Sequence, residues 1–167
     1  RGLIAAELGN YPEARRRFDT VLVQDPKHVR ARLNRATVAV LMNDHSLALE
    51  DSELLLKEYP NLDLARLRRA ESLMGLGKWE WAEVALREII ERKPGHVPAL
   101  ISMGATLCAL DRAEEALPPL DEAIRLESDN ISGNTLFTRL GRINVSTGAT
   151  FHVAAGTTFV MNVLEVF

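Results

Sequence analysis

The chain has one cysteine, Cys108, so it cannot form an internal disulfide and points to no redox compartment. It has no excess of basic charge either. The formal net charge is -3, whereas general nucleic-acid binding needs a basic surface. It has no initiator Met, signal peptide or targeting motif. It opens on RGLIAAELGN, inside a repeat, as a piece of a longer protein would, and localisation is left open. A catalytic signature is missing as well. His28, His45, His96 and His152 are far apart, and none belongs to an HExxH or similar ligand pair. His28 and His96 follow the same recurrent proline and read as solvated turn residues. Cys108 has no His or Asp close by in sequence and reads as a small packed thiol rather than a nucleophile. Glu114-Glu115 and Asp121-Glu122 read as solvated helix faces, the first pair favoured by the helix dipole. These absences lead to the expectation of a non-enzymatic protein without metal or cofactor.

What the chain does have is repetition. GNYPEARRRFDTVLVQDP at 9–26 returns in outline as GKWEWAEVALREIIERKP at 77–94, an offset of 68 residues, or twice 34. At that step Ala14, Ala48, Ala82 and Ala116 share one column, and Pro26, Pro60 and Pro94 another, with Ser128 in the fourth place. Gly2, Ala36, Ala70 and Gly104 form a column of small residues; Val21, Leu55, Ile89 and Ala123 form an apolar one. Gly9, Asn43, Gly77 and Asp111 complete the set. A fixed period of this length decides the fold before anything else is read.

Each column has a physical meaning. Small residues at two fixed sites let a pair of helices approach closely. Gly9, Asn43 and Gly77 suit a left-handed residue ending the first helix. Asp111 is less suited to that and is expected to form a capping box with Glu114. The recurrent proline closes the second helix. Apolar residues follow helical spacing, with Leu86, Ile89 and Ile90 on one face and Leu67, Ala70 and Met74 on another. Each copy therefore reads as helix, short turn, helix. Trp79 falls in the column of Tyr11 and is expected to pack, while Trp81 is free to be exposed. Pro118 and Pro119 fall inside the last second helix, where an interior proline costs about 3 kcal/mol, so that copy is expected to be the loosest.

With these columns the chain resembles the tetratricopeptide repeat (TPR) family over residues 1–130. Gly9-Asn10-Tyr11 through Asp25-Pro26 and Gly77-Lys78-Trp79 through Lys93-Pro94 carry the resemblance. A partial repeat at 1–28 precedes complete repeats at 29–62, 63–96 and 97–130. Position four, often aromatic in the family, is Arg32, Arg66 and Leu100 here. The resemblance implies an all-α fold, a right-handed α-solenoid of stacked helical hairpins. It also implies a non-enzymatic scaffold that binds a peptide or extended protein segment in a concave groove lined by first helices. Carried over position by position, the groove residues are Arg30, Leu33, Asn34, Thr37 and Leu41; Leu64, Leu67, Arg68, Glu71 and Gly75; and Pro98, Ile101, Ser102, Ala105 and Ala109. Arginine suits a carboxylate through paired hydrogen bonds, so the expected partner is a protein or peptide that is acidic or ends in a free carboxylate. Asn34 is suited to a peptide backbone. Asn34 and Arg68 match two members of the family's five-residue carboxylate clamp, and Leu64 stands where its lysine would be, which argues against a chaperone clamp.

After Asn130 the register breaks. Residues 131–142 read as a linker or short helix, SGNTLFTRLG with Asn134 as cap and Gly141 as stop. Residues 143–167 alternate with period two, apolar on odd numbers from Ile143 to Phe167, and are β-prone. NVSTGATF followed by HVAAGTTF is an eight-residue echo within it. A hairpin pair from a second domain, a β-solenoid and the first strands of an outer-membrane barrel all fit, so membrane association of the tail stays open. Two further readings accompany the scaffold. The repeats serve as the recruiting arm of a larger enzyme or export protein, or they self-associate through an exposed terminal repeat.

Overall fold

The computed structural model describes residues 2–130, with the side chains of residues 2–127. The expectations for 131–142 and 143–167 lie outside the described residues. Those described form eight helices and no strand: α1 (Gly2–Glu7), α2 (Tyr11–Gln24), α3 (Val29–Leu41), α4 (His45–Glu58), α5 (Asp63–Gly75), α6 (Trp79–Arg92), α7 (Val97–Ala109) and α8 (Ala113–Asn130). The all-α fold of helical hairpins is present. Second helices begin at residues 11, 45, 79 and 113, and first helices at 29, 63 and 97, each 34 residues after the last.

Local chemistry sets the helix ends. Gly9, Asn43, Gly77 and Asp111 take positive φ of 73°, 57°, 70° and 58°, so one column of three residue types adopts one conformation. Behind each turn the next amide bonds a carbonyl five residues earlier, from Asn10 to Ala5 and Asp44 to Ala39 at 2.8 Å, and from Lys78 to Leu73 and Arg112 to Leu107 at 2.9 Å. These bonds satisfy helix-end carbonyls that would otherwise lack donors. Because Asp111 is spent on the left-handed turn, it stands one residue too early to cap α8, which corrects the expected capping box. Arg112 precedes the helix, and its guanidinium bonds Glu115 at 2.7 and 2.6 Å. The histidines also differ from expectation. His28 and His96 are helix N-caps whose Nδ1 atoms accept from the amides of Ala31 and Ala99, each at 3.2 Å. The prolines act as expected: α2, α4 and α6 end two residues before Pro26, Pro60 and Pro94. With Ser128 at that position, α8 runs on to Asn130.

The first compact unit ends at Pro94 and the second begins at Gly95. In the first, each helix from α1 to α6 packs on the next, and the first helices α3 and α5 also touch each other. Its core holds Ala14, Ala36, Ala48, Ala70 and Ala82 at no exposure, with Phe18, Leu22, Leu55, Leu67, Leu86 and Ile89 around them. Each such large side chain contributes about 1.5–3 kcal/mol on burial. In the second unit α7 packs on α8 through Leu100, Met103, Leu107, Leu120 and Ala123. A Cβ on Gly104 would lie 2.5 Å from the Leu120 side chain, so the small-residue column is obligatory there. Pro118 and Pro119 lie within α8, which stays helical through them.

The first unit also buries charge. Asp51 of α4 has no exposure and accepts from Arg32 Nη1 at 2.9 Å and from Arg35 Nε and Nη2, both at 2.7 Å. Arg35 Nη1 reaches Asp19 of α2 at 2.7 Å. Two arginines and two aspartates thus tie α2, α3 and α4 together with no net charge. The bonds to Asp51 and then Asp19 raise the Arg35 pKa above its ordinary value. Arg32 and Arg66 share a second task, each donating to the carbonyl of the proline six residues earlier, Pro26 at 2.6 Å and Pro60.

Candidate binding face on helices α3 and α5

Helical spacing places Arg30, Leu33, Asn34, Thr37 and Leu41 along one face of α3, and Leu64, Arg68, Glu71 and Gly75 along one face of α5. Where α3 meets α5 the two faces are joined by side chains. Arg68 Nε donates to Thr37 Oγ1 at 3.0 Å, and Arg68 Nη1 to Glu71. Among the described residues Arg68 Nη2 has no partner, and neither does the side-chain amide of Asn34 or the guanidinium of Arg30. Arg30 is exposed; Leu33, Asn34, Thr37, Arg68 and Glu71 are half-buried. Leu41 and Leu64 are 52% and 40% exposed and give the face an apolar margin. Leu67 is 4% exposed and packs beneath the face.

His45 of α4 also approaches this layer. Its ring lies so close to Gly75 that a Cβ there would collide with it, and its Nδ1 is buried without a partner. In the second unit Pro98 is exposed, while Ile101, Ser102, Ala105 and Ala109 are half-buried on α7. The Ser102 carbonyl accepts from Thr106 Oγ1 at 2.8 Å. Cys108 is half-buried, and burial raises its thiol pKa, the opposite of what a nucleophile needs. Trp81 is 65% exposed on α6.

The face can hold an extended chain by donating from Arg68 Nη2 and Arg30 and by giving and accepting through Asn34. Among the described residues no group of three His, Cys, Asp or Glu side chains could hold a metal ion, and no helix is long and apolar enough to cross a membrane. Sequence reasoning missed the ionic node at Asp51 and the arginine bonds to the proline carbonyls. A signal for the second was present, since Arg32 and Arg66 each stand six residues after the recurrent proline.

Residues 1–63 match the family model described as Tetratricopeptide repeat. No curated protein matches the chain. Among solved structures the chain is similar to MamA, residues 41 to the end, from Desulfovibrio magneticus RS-1. That likeness has 23% identity and TM-score 0.72, covering 78% of this chain and 74% of that one. It is also similar to TTC0263, a thermophilic TPR protein of Thermus thermophilus, at 22% identity and TM-score 0.67, over 76% and 71% of the two chains. YrrB, described as a TPR protein with an unusual peptide-binding site, matches at 26% identity and TM-score 0.68, over 77% and 66%.

Proposed function

Starting from a chain that carries tetratricopeptide repeats, we propose that it is a non-enzymatic scaffold that binds a peptide or extended protein segment on the face shared by α3 and α5. The observation that carries this reading is Arg68, held across the helix pair by Thr37 and Glu71 with Nη2 still free. A guanidinium fixed in this way has already given up rotamer freedom, so a ligand oxygen meets a preorganised donor. Asn34, one helical turn from Thr37, supplies the paired donor and acceptor that a peptide bond needs. Ile101 and Ser102 on α7 of the second unit take the same repeat positions as Leu33 and Asn34. YrrB, a TPR protein described as having an unusual peptide-binding site, supports peptide as the ligand class.

The finer reading is a ligand that is acidic or ends in a carboxylate. It rests on Arg30, which has no ion pair among the described residues, together with Arg68. Glu71 offsets part of the Arg68 charge, so Arg30 carries most of the preference. A peptide array probed with the purified protein tests both levels. Acidic and carboxylate-ended peptides should be retained, and Arg30→Glu together with Arg68→Glu should weaken them at least tenfold while helical circular dichroism stays unchanged. Binding of every retained peptide unaltered by both changes would place the site elsewhere.

A further inference from the structure

The ionic node of the second hairpin has an incomplete copy in the third. One 34-residue step carries Arg32, Arg35 and Pro26 onto Arg66, Arg69 and Pro60, and it carries Asp51 onto Ala85. Both arginine positions are thus repeated, and the carboxylate between them is not. Arg66 and Arg69 stand three residues apart on α5, off the face that carries Arg68 and Glu71. A ligand held by them would lie apart from the proposed peptide face.

Arg66 keeps the seat of its counterpart. Its side chain is 17% exposed, against 18% for Arg32, and it likewise donates to the proline carbonyl six residues earlier. Its counter-charge differs. Arg32 Nη1 meets the fully buried Asp51 at 2.9 Å, whereas Arg66 Nη1 reaches only Glu88, 46% exposed, at 3.4 Å. Arg66 Nε is buried without a hydrogen-bond partner among the described residues. Arg69 is half-buried, and its side chain has no ion pair or hydrogen bond among the described residues. Nor does the exposed side chain of Glu53, the counterpart of Asp19.

Buried donors in a folded protein are nearly always given an acceptor, so an orphaned guanidinium N–H points to a group that supplies one. The second hairpin shows which group suits these positions. There the two arginines converge on one carboxylate through bonds of 2.9, 2.7 and 2.7 Å. The helix pairs match as well, α3 on α4 and α5 on α6. Position 85 therefore lies where two arginines can meet, and Ala85 there is 3% exposed and carries only a methyl group. Arg66, Arg69 and Glu88 together have one positive charge, which a single oxyanion balances. Guanidinium groups hold carboxylates and phosphates through parallel N–H···O bonds. We propose that the third hairpin binds a small oxyanion between Arg66 and Arg69 beside Ala85, in the place that the Asp51 carboxylate takes in the second.

Isothermal titration of the full chain with inorganic phosphate, and separately with acetate, at fixed ionic strength tests the site. The expected result is saturable binding of one anion per chain by at least one of the two. Arg69→Gln should weaken that binding at least tenfold, and it removes no bond made among the described residues. Ala85→Asp supplies the carboxylate from the chain itself, so it should abolish binding and raise the thermal midpoint. Circular dichroism checks that both variants are folded. Saturable binding of neither anion, or binding that Arg69→Gln leaves unchanged, would overturn the proposal. So would an Ala85→Asp chain with a lower midpoint, because its carboxylate would have met no pair of arginines.

Discussion

At Asp51 a carboxylate with no exposure receives three hydrogen bonds from two guanidinium groups that are themselves 18% exposed. Replacing Asp51 by Asn or Ala leaves Arg32 and Arg35 without their shared counter-charge inside the first unit. Breaking a buried pair in this way costs about 3–5 kcal/mol, a large part of the stability of an ordinary domain. Urea denaturation of D51N should show that loss. An exposed pair gives a smaller, pH-dependent effect. Lys93 bonds Asp63 and holds its carboxyl below the usual range, which ties the end of α6 to the start of α5. A depressed folded pKa stabilises above the unfolded carboxylate value of about 4 and loses that contribution as pH falls through the folded value. The melting temperature should therefore fall on acidification below about pH 4, and by less in D63N. The left-handed turns were legible in the sequence because Gly9, Asn43, Gly77 and Asp111 recur in one column. Asp51 was not, because its column reads Arg17, Asp51, Ala85 and Pro119 and so holds no shared residue type. Its partners are 16 and 19 residues away, chosen by side-chain reach across packed helices rather than by period.

At the scale of the element, the 34-residue columns placed every described helix. Hairpin ends depend on backbone chemistry at single positions, which a period exposes. The inner face was read as a list of positions, and the structure sorted that list by depth. Leu67 went beneath the surface, Arg68, Thr37 and Glu71 were joined, and Arg30 was left free. Depth depends on how neighbouring helices cross, which spacing within one helix does not encode. Helix α8 carries the expectation of looseness that its two interior prolines raise. Pro118 and Pro119 lack the amides that would donate to the carbonyls of Glu114 and Glu115 in an unbroken helix. Replacing both by Ala should stabilise the second unit, by up to about 3 kcal/mol for each proline, read as a rise in its thermal midpoint. An unchanged midpoint would mean that the neighbouring turns already compensate for the missing bonds.

At the scale of the molecule, stability in a repeat array is close to a sum of repeat terms and interface terms between neighbours. In the first unit those interfaces are not alike. The Arg32–Asp51–Arg35 node lies within the second hairpin and is tied to the first by Arg35 to Asp19, while Arg15 of α2 also reaches Asp44 ahead of α4 at 2.9 Å. Between α3 and α5 the side-chain hydrogen bond among the described residues is that from Arg68 to Thr37, beside ordinary helix packing. Native-state hydrogen exchange makes this difference visible in time. Amides of α3 and α4 should become exchangeable together, as one cooperative block, because opening either helix alone strands Asp51 or the arginines that bond it. Amides of α5 and α6 are free of that constraint and should exchange at a rate of their own. In D51N the block should come apart, with α3 and α4 exchanging at rates of their own. A cluster of three charged side chains thereby sets how much of the first unit opens at once.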